Sequence, residues 1–363
     1  MSQVVRFFAG VPTANSTLFH RMRFAVGDSA VLIERRDASG VRTLAIVRDI
    51  EMDRARALNR FDRVACAADF APADGLSADR DTALAQGAAE FLIREGVASV
   101  VAERSLPFIF AWHLQARGIN IAYDPELGVR ERRVKTDEEI ECLRKAQNVT
   151  EQAVRFACET IANATADAEG QLVHDHEVLT SERLRRMIGV FLMQRGFSAL
   201  NDSIVATLPR VADCHHLGAG PLRTGLPVIV DIFPRDDQTR YWGDCTRTVV
   251  HGEPTDEVAR MHEAVLRAKA AATAALRPGV TGQAVHEATI EAITSAGYTM
   301  RRGGHSDDTS PDAGRPYMRH GTGHGIGLDV HEPILLDDGA GEILPGEVFT
   351  VEPGLYSRAH GGV

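Results

Sequence analysis

The sequence predicts an α+β protein in two parts, a smaller α/β domain over residues 1–130 followed by a larger domain over residues 131–363. In the first third, short apolar runs of strand length alternate with helical stretches, the pattern of a small layered α/β domain. Around Asp124–Val134, in YDPELGVRERRV, that alternation breaks and marks a linker. Beyond it, long amphipathic helical patterns are interleaved with strand-like segments that single acids interrupt. A chain of 363 residues has room for two domains at roughly 100–200 residues each.

Each element has its own warrant. Ala30–Glu34 (AVLIE), Thr43–Val47 (TLAIV), Val64–Ala68 and Ala98–Ala102 read as buried strands. Thr82–Glu95 reads as a helix that Gly96 stops. This part has scattered polar residues and no glycine-rich phosphate loop, so nothing in it looks catalytic. After the linker, Thr136 and Glu139 form a capping box, and Ile140, Leu143, Ala146, Ala153 and Ala157 recur at helical spacing. A second helix over Glu182–Gln194 aligns Leu184, Met187, Ile188, Phe191 and Leu192 on one face. Two more run over Asp256–Leu276, ended by Pro278-Gly279, and over Gln283–Ser295, ended by Gly297. Pairs of helices ahead of each set of polar strands hint at an internal duplication.

Composition narrows the function. A content of 44% hydrophobic and 25% charged residues is that of a soluble globular protein. No stretch reaches the ~18 apolar residues of a membrane span, and the N-terminus lacks the apolar core of a signal peptide. A net charge of −10 argues against nucleic acid as a partner. The five cysteines are scattered without a CxxC pair, which argues against a disulfide framework or a structural zinc site. A cytoplasmic location is the expectation.

The chemistry concentrates between Asp231 and Glu352. Asp231 interrupts the apolar run VIVDIF, and Asp244 lies in WGDCTRT where the chain resumes after a polar loop. A carboxylate in such a run costs several kcal/mol to bury unless something positive meets it. The competing reading of Asp231 is a strand-end turn, since Pro234 and RDDQTR follow. A hairpin brings the two acids side by side, where like charges raise one pKa unless a cation neutralises them. In HGTGHGIGLDVHE, glycines at 321, 323, 325 and 327 exclude a helical site and let backbone pack closely around His324. A lone histidine is more often a core or surface residue, but His320, His324 and His331 fall in one short segment. Glu352 interrupts a further apolar run before Pro353-Gly354. By contrast, His174-Asp175-His176-Glu177 reads as a solvated turn, and Gly303-Gly304-His305-Ser306-Asp307-Asp308 as a flexible loop near the site.

Taken together, RVKTDEEIECLRKA, VIVDIF…GDCTRTV, RHGTGHGIGLDVHE and GEVFTVEPGLY resemble the pita-bread metallopeptidases, specifically the aminopeptidase P and prolidase branch. The resemblance covers about Arg132 to Val363, and the first domain matches only in size and placement. It implies a pita-bread catalytic domain preceded by a creatinase-type α/β domain. It also implies two divalent cations, manganese first and cobalt, iron or zinc as alternatives, held by Asp231, Asp244, His324 and Glu352. By the same likeness Asp244 bridges the metals and Glu352 acts as general base on a water that both metals activate. His331 then contacts the substrate carbonyl, His320 lines the pocket, and His215 is favoured over His216 as a further catalytic-site histidine. The implied reaction is cleavage of the bond preceding proline at the N-terminus of a peptide, by a homo-oligomer, a dimer.

Two departures accompany the match. The loop between Asp231 and Asp244 is slightly longer than the common pattern. The family also continues past GLY into a Gly-Val/Ile-Arg-x-Glu-Asp strand whose glutamate bridges the metals. Gly361-Gly362-Val363 corresponds to its start, so the expectation is a metallopeptidase domain incomplete at its C-terminus and inactive as written. The rivals are a metal-free creatinase-like amidinohydrolase and a non-catalytic binding module of the same fold.

Overall fold

A computed structural model describes residues 4–38, 40–301 and 314–363. The expected loop at Gly303–Asp308 lies outside the described residues. The chain divides into two units, Met1–Arg132 and Arg133–Val363.

The first unit is built on β1 (Val4–Gly10), β2 (Ala30–Asp37), β3 (Gly40–Ile46), β4 (Arg63–Ala65), β5 (Ser99–Ala102) and β6 (Asn120–Tyr123). They form one sheet in the order β4-β3-β2-β1-β5-β6. The β1–β2 and β2–β3 pairs are antiparallel; the pairs of β1 with β5, β5 with β6 and β3 with β4 are parallel. Its interior strand β1 was not among the expected strands: Arg6 interrupts its apolar run, although both faces of the sheet are covered. Phe7 faces one core with Phe110 and Leu92, and Phe8 faces the other with Leu18 and Met22. Helices α1 (Ser16–Met22), α2 (Met52–Ala57), α3 (Arg80–Arg94) and α4 (Phe108–Ala116) complete the unit. The chain at Val64–Ala68 leaves the sheet early, turning into a 3-10 turn over Ala67–Phe70.

The segment read as a linker contains a short helix, α5 (Val129–Arg133). In the second unit, α6 (Asp137–Ala162) begins at the expected capping box: the Thr136 hydroxyl accepts from Glu139 N–H at 3.3 Å, and the Glu139 carboxylate accepts from Thr136 N–H at 2.9 Å. Strands β7 (Thr165–Ala166), β8 (Leu172–His174) and β9 (Glu177–Val178) make a small meander. Its tip, Asp175-His176, has φ of 48° and 63°, as a tight two-residue hairpin requires, and both residues are exposed. Next come α7 (Ser181–Met193), β10 (Phe197–Ser198), β11 (Ile204–Ala206), β12 (Pro227–Ile232), β13 (Arg235–Asp236) and β14 (Cys245–Val250). The sheet β11-β12-β14 receives α6 on its apolar side, where Ala146, Ala153, Ala157 and Ile161 meet Val228, Val230 and Ile232. The longer loop after Asp231 is a small excursion in which β13 pairs with β10.

Helices α8 (Asp256–Ala275) and α9 (Gly282–Ser295) follow. The remaining strands are β15 (Thr299–Met300), β16 (Tyr317–Met318), β17 (Gly323–Gly325), β18 (Glu332–Leu336), β19 (Tyr356–Ser357) and β20 (Gly361–Gly362). β17 pairs antiparallel with β18, and β15-β16-β19-β20 form a separate sheet. The glycines around His324 are there for close approach: a Cβ at Gly323 would lie 2.1 Å from the carbonyl oxygen of Thr350. A side chain at 323 would therefore push apart the two segments that carry His324 and Glu352.

Candidate metal centre

Asp231 occupies the penultimate position of β12, opposite Thr246 of β14, and Asp244 immediately precedes β14. The two-residue period of a strand puts 231, 244 and 246 on one face, with the acids diagonal rather than directly opposed. On β17, His324 Nδ1 meets the Gly325 carbonyl oxygen at 3.0 Å. A carbonyl only accepts, so Nδ1 carries hydrogen and Nε2 is the nitrogen presented to the acids. His324 Nε2 lies 3.5 Å from Asp244 Oδ2 and 3.2 Å from Glu352 Oε1. Ligating atoms of Asp244, His324 and Glu352 all fall within 4.8 Å of one another. Asp231 adjoins this cluster, and its Oδ1 is buried with no hydrogen-bond partner among the described residues.

The electrostatics of the cluster ask for positive charge. Burial, and then the neighbouring Asp244, push the Asp231 carboxyl well above the usual carboxylate range. Burial also raises Asp244, against the pull of its hydrogen bond with His324. At His324 burial disfavours the charged ring, yet the bonds to Asp244 and Glu352 outweigh it and lift the pKa to about 10. Glu352 is held below its ordinary value because His324 overcomes the effect of burial. One imidazole thus faces Asp244 and Glu352, and the oxygen of Asp231 beside them lacks a partner among the described residues. This oxygen-rich donor set with one imidazole fits divalent cations.

The cavity around the cluster measures about 1420 Å³, and Asp231, Asp244, His324 and Glu352 line it together with His215, His320 and His331. His331 packs edge-on against His324 with ring centroids 4.3 Å apart. Burial first, then the nearby charge of His324, lowers its pKa, which keeps the ring neutral near pH 7. Of the pair read from DCHH, His215 lines the cavity. His216 is engaged locally, accepting from Gly218 N–H at 2.9 Å and lying 3.3 Å from Arg210. His320 is held from both sides, with Nδ1 2.8 Å from the Gly321 carbonyl oxygen and Nε2 2.9 Å from the Tyr356 hydroxyl.

Sequence reasoning missed three supporting residues. The Thr350 hydroxyl accepts from His324 N–H at 3.0 Å and donates to Glu352 Oε1 at 3.2 Å, tying two candidate ligands together. Its signal was available: Thr350 sits two positions before Glu352, on the same face of an extended segment. Tyr356, within GLY, fixes His320. His286 on α9 is fully buried, with Nδ1 2.8 Å from the Thr322 hydroxyl and Nε2 3.4 Å from Asp337, behind the segment that leads to His324. The spacing of α9 puts His286 on the same face as Val285, Thr289 and Ile293, which was the available signal.

The fold and this acidic cluster define the class: a creatinase-type α/β unit followed by a pita-bread unit. The prolidase from Pyrococcus furiosus superposes with a TM-score of 0.74 at 20% identity, covering 99% of this chain and 90% of that one. An X-Pro aminopeptidase from Thermotoga maritima gives 0.74 at 22% identity, with the same coverages of 99% and 90%. The profile of metallopeptidase family M24 matches residues 141–363, and the chain belongs to that family. Among relatives by sequence, the probable dipeptidase PepE of Mycobacterium tuberculosis is 32% identical over 229 residues, which is 62% of this chain and 53% of PepE. The Xaa-Pro dipeptidase of Pyrococcus furiosus is 31% identical over 233 residues, 63% of this chain and 58% of that enzyme. The matched region thus spans little more than half the length of these relatives. Among the described residues no helix is long and apolar enough to cross a membrane.

Proposed function

We propose that this protein hydrolyses the peptide bond preceding proline at the N-terminus of peptides, as an Xaa-Pro aminopeptidase or dipeptidase that works with two divalent cations. The observation that carries this reading is the meeting of Asp244, His324 and Glu352 within 4.8 Å, beside a buried Asp231 oxygen with no partner among the described residues. Asp231, Asp244, His324 and Glu352 would hold the ions, with manganese the first choice for carboxylates and a single imidazole. When bound, the ions supply Lewis acidity that acidifies water and polarises a carbonyl.

The chain's own groups do the rest. Glu352 is partly open to the cavity, and its carboxylate accepts the proton of the attacking water. Thr350 donates to that carboxylate and orients it. His331, neutral and lining the cavity, donates to the oxyanion that develops on the scissile carbonyl. Tyr356 fixes the ring of His320 in the wall, and His215 faces the same space. Family membership and the Xaa-Pro dipeptidases among the relatives support proline-directed substrates. The test is turnover of Xaa-Pro dipeptides and longer Xaa-Pro peptides with manganese and then with chelator. Equal turnover in both conditions overturns the metallopeptidase reading.

A further inference from the structure

Two of the segments singled out by sequence, RVKT before α6 and DVHE after the glycine-rich stretch, meet in the interior at a point the proposed chemistry does not use. Lys135 Nζ and Glu332 Oε2 are 2.7 Å apart, with side-chain exposures of 3% and 2%. They are 197 residues apart in sequence. A buried ion pair is a poor device for stability alone, since desolvation offsets most of the attraction. What Glu332 does besides pairing is more informative. Its Oε1 accepts from Leu328 N–H at 3.1 Å and lies 3.4 Å from Asp329 N, so the carboxylate grips the start of the turn that it ends. The turn lies against it so closely that a Cβ on Gly327 would come within 2.6 Å of Oε2. From the other side Trp242 closes the clamp, donating its backbone N–H to the Gly327 carbonyl and its indole N–H to the Leu328 carbonyl, at 3.0 and 2.9 Å.

The residue carried by this turn is His331, immediately before Glu332. Its ring has the edge-on contact with His324, and among the described residues no hydrogen bond engages it. The direction of the imidazole is therefore set by the backbone beneath it. We propose that the buried Lys135–Glu332 pair is a positioning device for His331: Glu332 holds the turn 327–332 in shape, and Lys135 fixes the buried carboxylate in place. The inference rests on the role given to His331 above. Neither residue touches substrate; both act through the turn.

The test compares variants that leave no stranded charge. Lys135→Met/Glu332→Gln keeps a carbonyl oxygen to accept from Leu328, whereas Lys135→Met/Glu332→Ala removes the grip. Gly327→Ala leaves both charges in place and displaces the turn. For the Ala double variant and for Gly327→Ala, kcat on an Xaa-Pro dipeptide is expected to fall by about 10–100-fold, the scale of a misplaced catalytic group. KM and bound manganese should stay within about twofold of the parent, and amide exchange at Leu328 and Asp329 should accelerate. The Gln double variant should keep kcat within about threefold, rescuing what Ala loses. Turnover unchanged in Gly327→Ala and in the Ala double variant, losses that follow manganese content, or equal losses in the Gln and Ala variants each overturn the proposal. Should the parent itself show no Xaa-Pro turnover, amide exchange decides alone. Leu328 protection as strong in the variants as in the parent then overturns the positioning role.

Discussion

In the first unit the buried acids Glu34 and Glu103 each meet partners of their own. Glu34 faces Arg21 at 3.4 Å and Arg6 at 3.8 Å, and Glu103 accepts from the Ser105 backbone and hydroxyl at 2.6 Å. In the second unit Asp244 and Glu352 share a single imidazole, and beside them one oxygen of Asp231 has no partner among the described residues. Both units bury carboxylates, so burial alone does not mark a site. The surplus of negative charge over local partners does. Where a partner arrives with the acid, the fold is served; where it does not, the pocket calls for a cation from solution. Lys135–Glu332 shows that the second unit also builds balanced pairs, which makes the imbalance at Asp231 a local property rather than a habit of the whole unit.

The largest expected break in this contrast comes from Asp244→Ala. Deleting the acid within reach of both His324 and Asp231 should abolish bound manganese and Xaa-Pro turnover together, read by elemental analysis and peptide assay. Retained metal with retained turnover would mean the surplus of charge is not the binding determinant. In the first unit, Phe7→Ala removes a fully buried ring and should cost about 3–5 kcal/mol of that unit's stability in denaturant titration. Bound manganese should not change in conditions where both units remain folded; loss of metal there would undo the division of labour.

His331→Ala should lower kcat by roughly 10²–10³ while manganese stays bound, as removal of an oxyanion donor does. Loss of metal in that variant would reassign His331 as a ligand. The mildest effect is expected from Thr350→Val, which keeps the shape but removes the hydroxyl between His324 and Glu352. Manganese affinity should weaken by about tenfold, the low end for a group that orients a ligand. An unchanged dissociation constant would show that His324 and Glu352 hold their geometry unaided.

The legible parts of the chain were those where one local rule spoke plainly. The capping box fixed the start of α6, and the four long helices of the second unit lie where helices were expected. Asp231 and Glu352 stood out because charge interrupts apolar runs, Asp244 because the chain resumes there after a polar loop, and His324 because three histidines share one glycine-rich segment. Three of those four fall in one tight cluster, with Asp231 beside it. Much of what escaped was non-local. β1 hid because Arg6 interrupts its apolar run. Thr350 and Tyr356 looked like ordinary strand residues until the segments they bridge were brought together. The segment near 124–134 reads as pure linker by composition, yet Val129–Arg133 closes one helical turn there.

The distance along the chain between Lys135 and Glu332 has a kinetic consequence. Pairing of β17 with β18 closes a short loop, for Gly325 already lies opposite Glu332. Joining Glu332 to Lys135 closes a loop of 197 residues, an entropic cost of about 4–5 kcal/mol that nearby contacts must meet first. The turn bearing His331 can therefore take its outline early, from its neighbours, and receive its last anchor only after the interior has gathered from both ends of the unit. Refolding followed by amide protection should show the strands of the glycine-rich segment closing ahead of Leu328, with turnover returning on the slower of those two clocks.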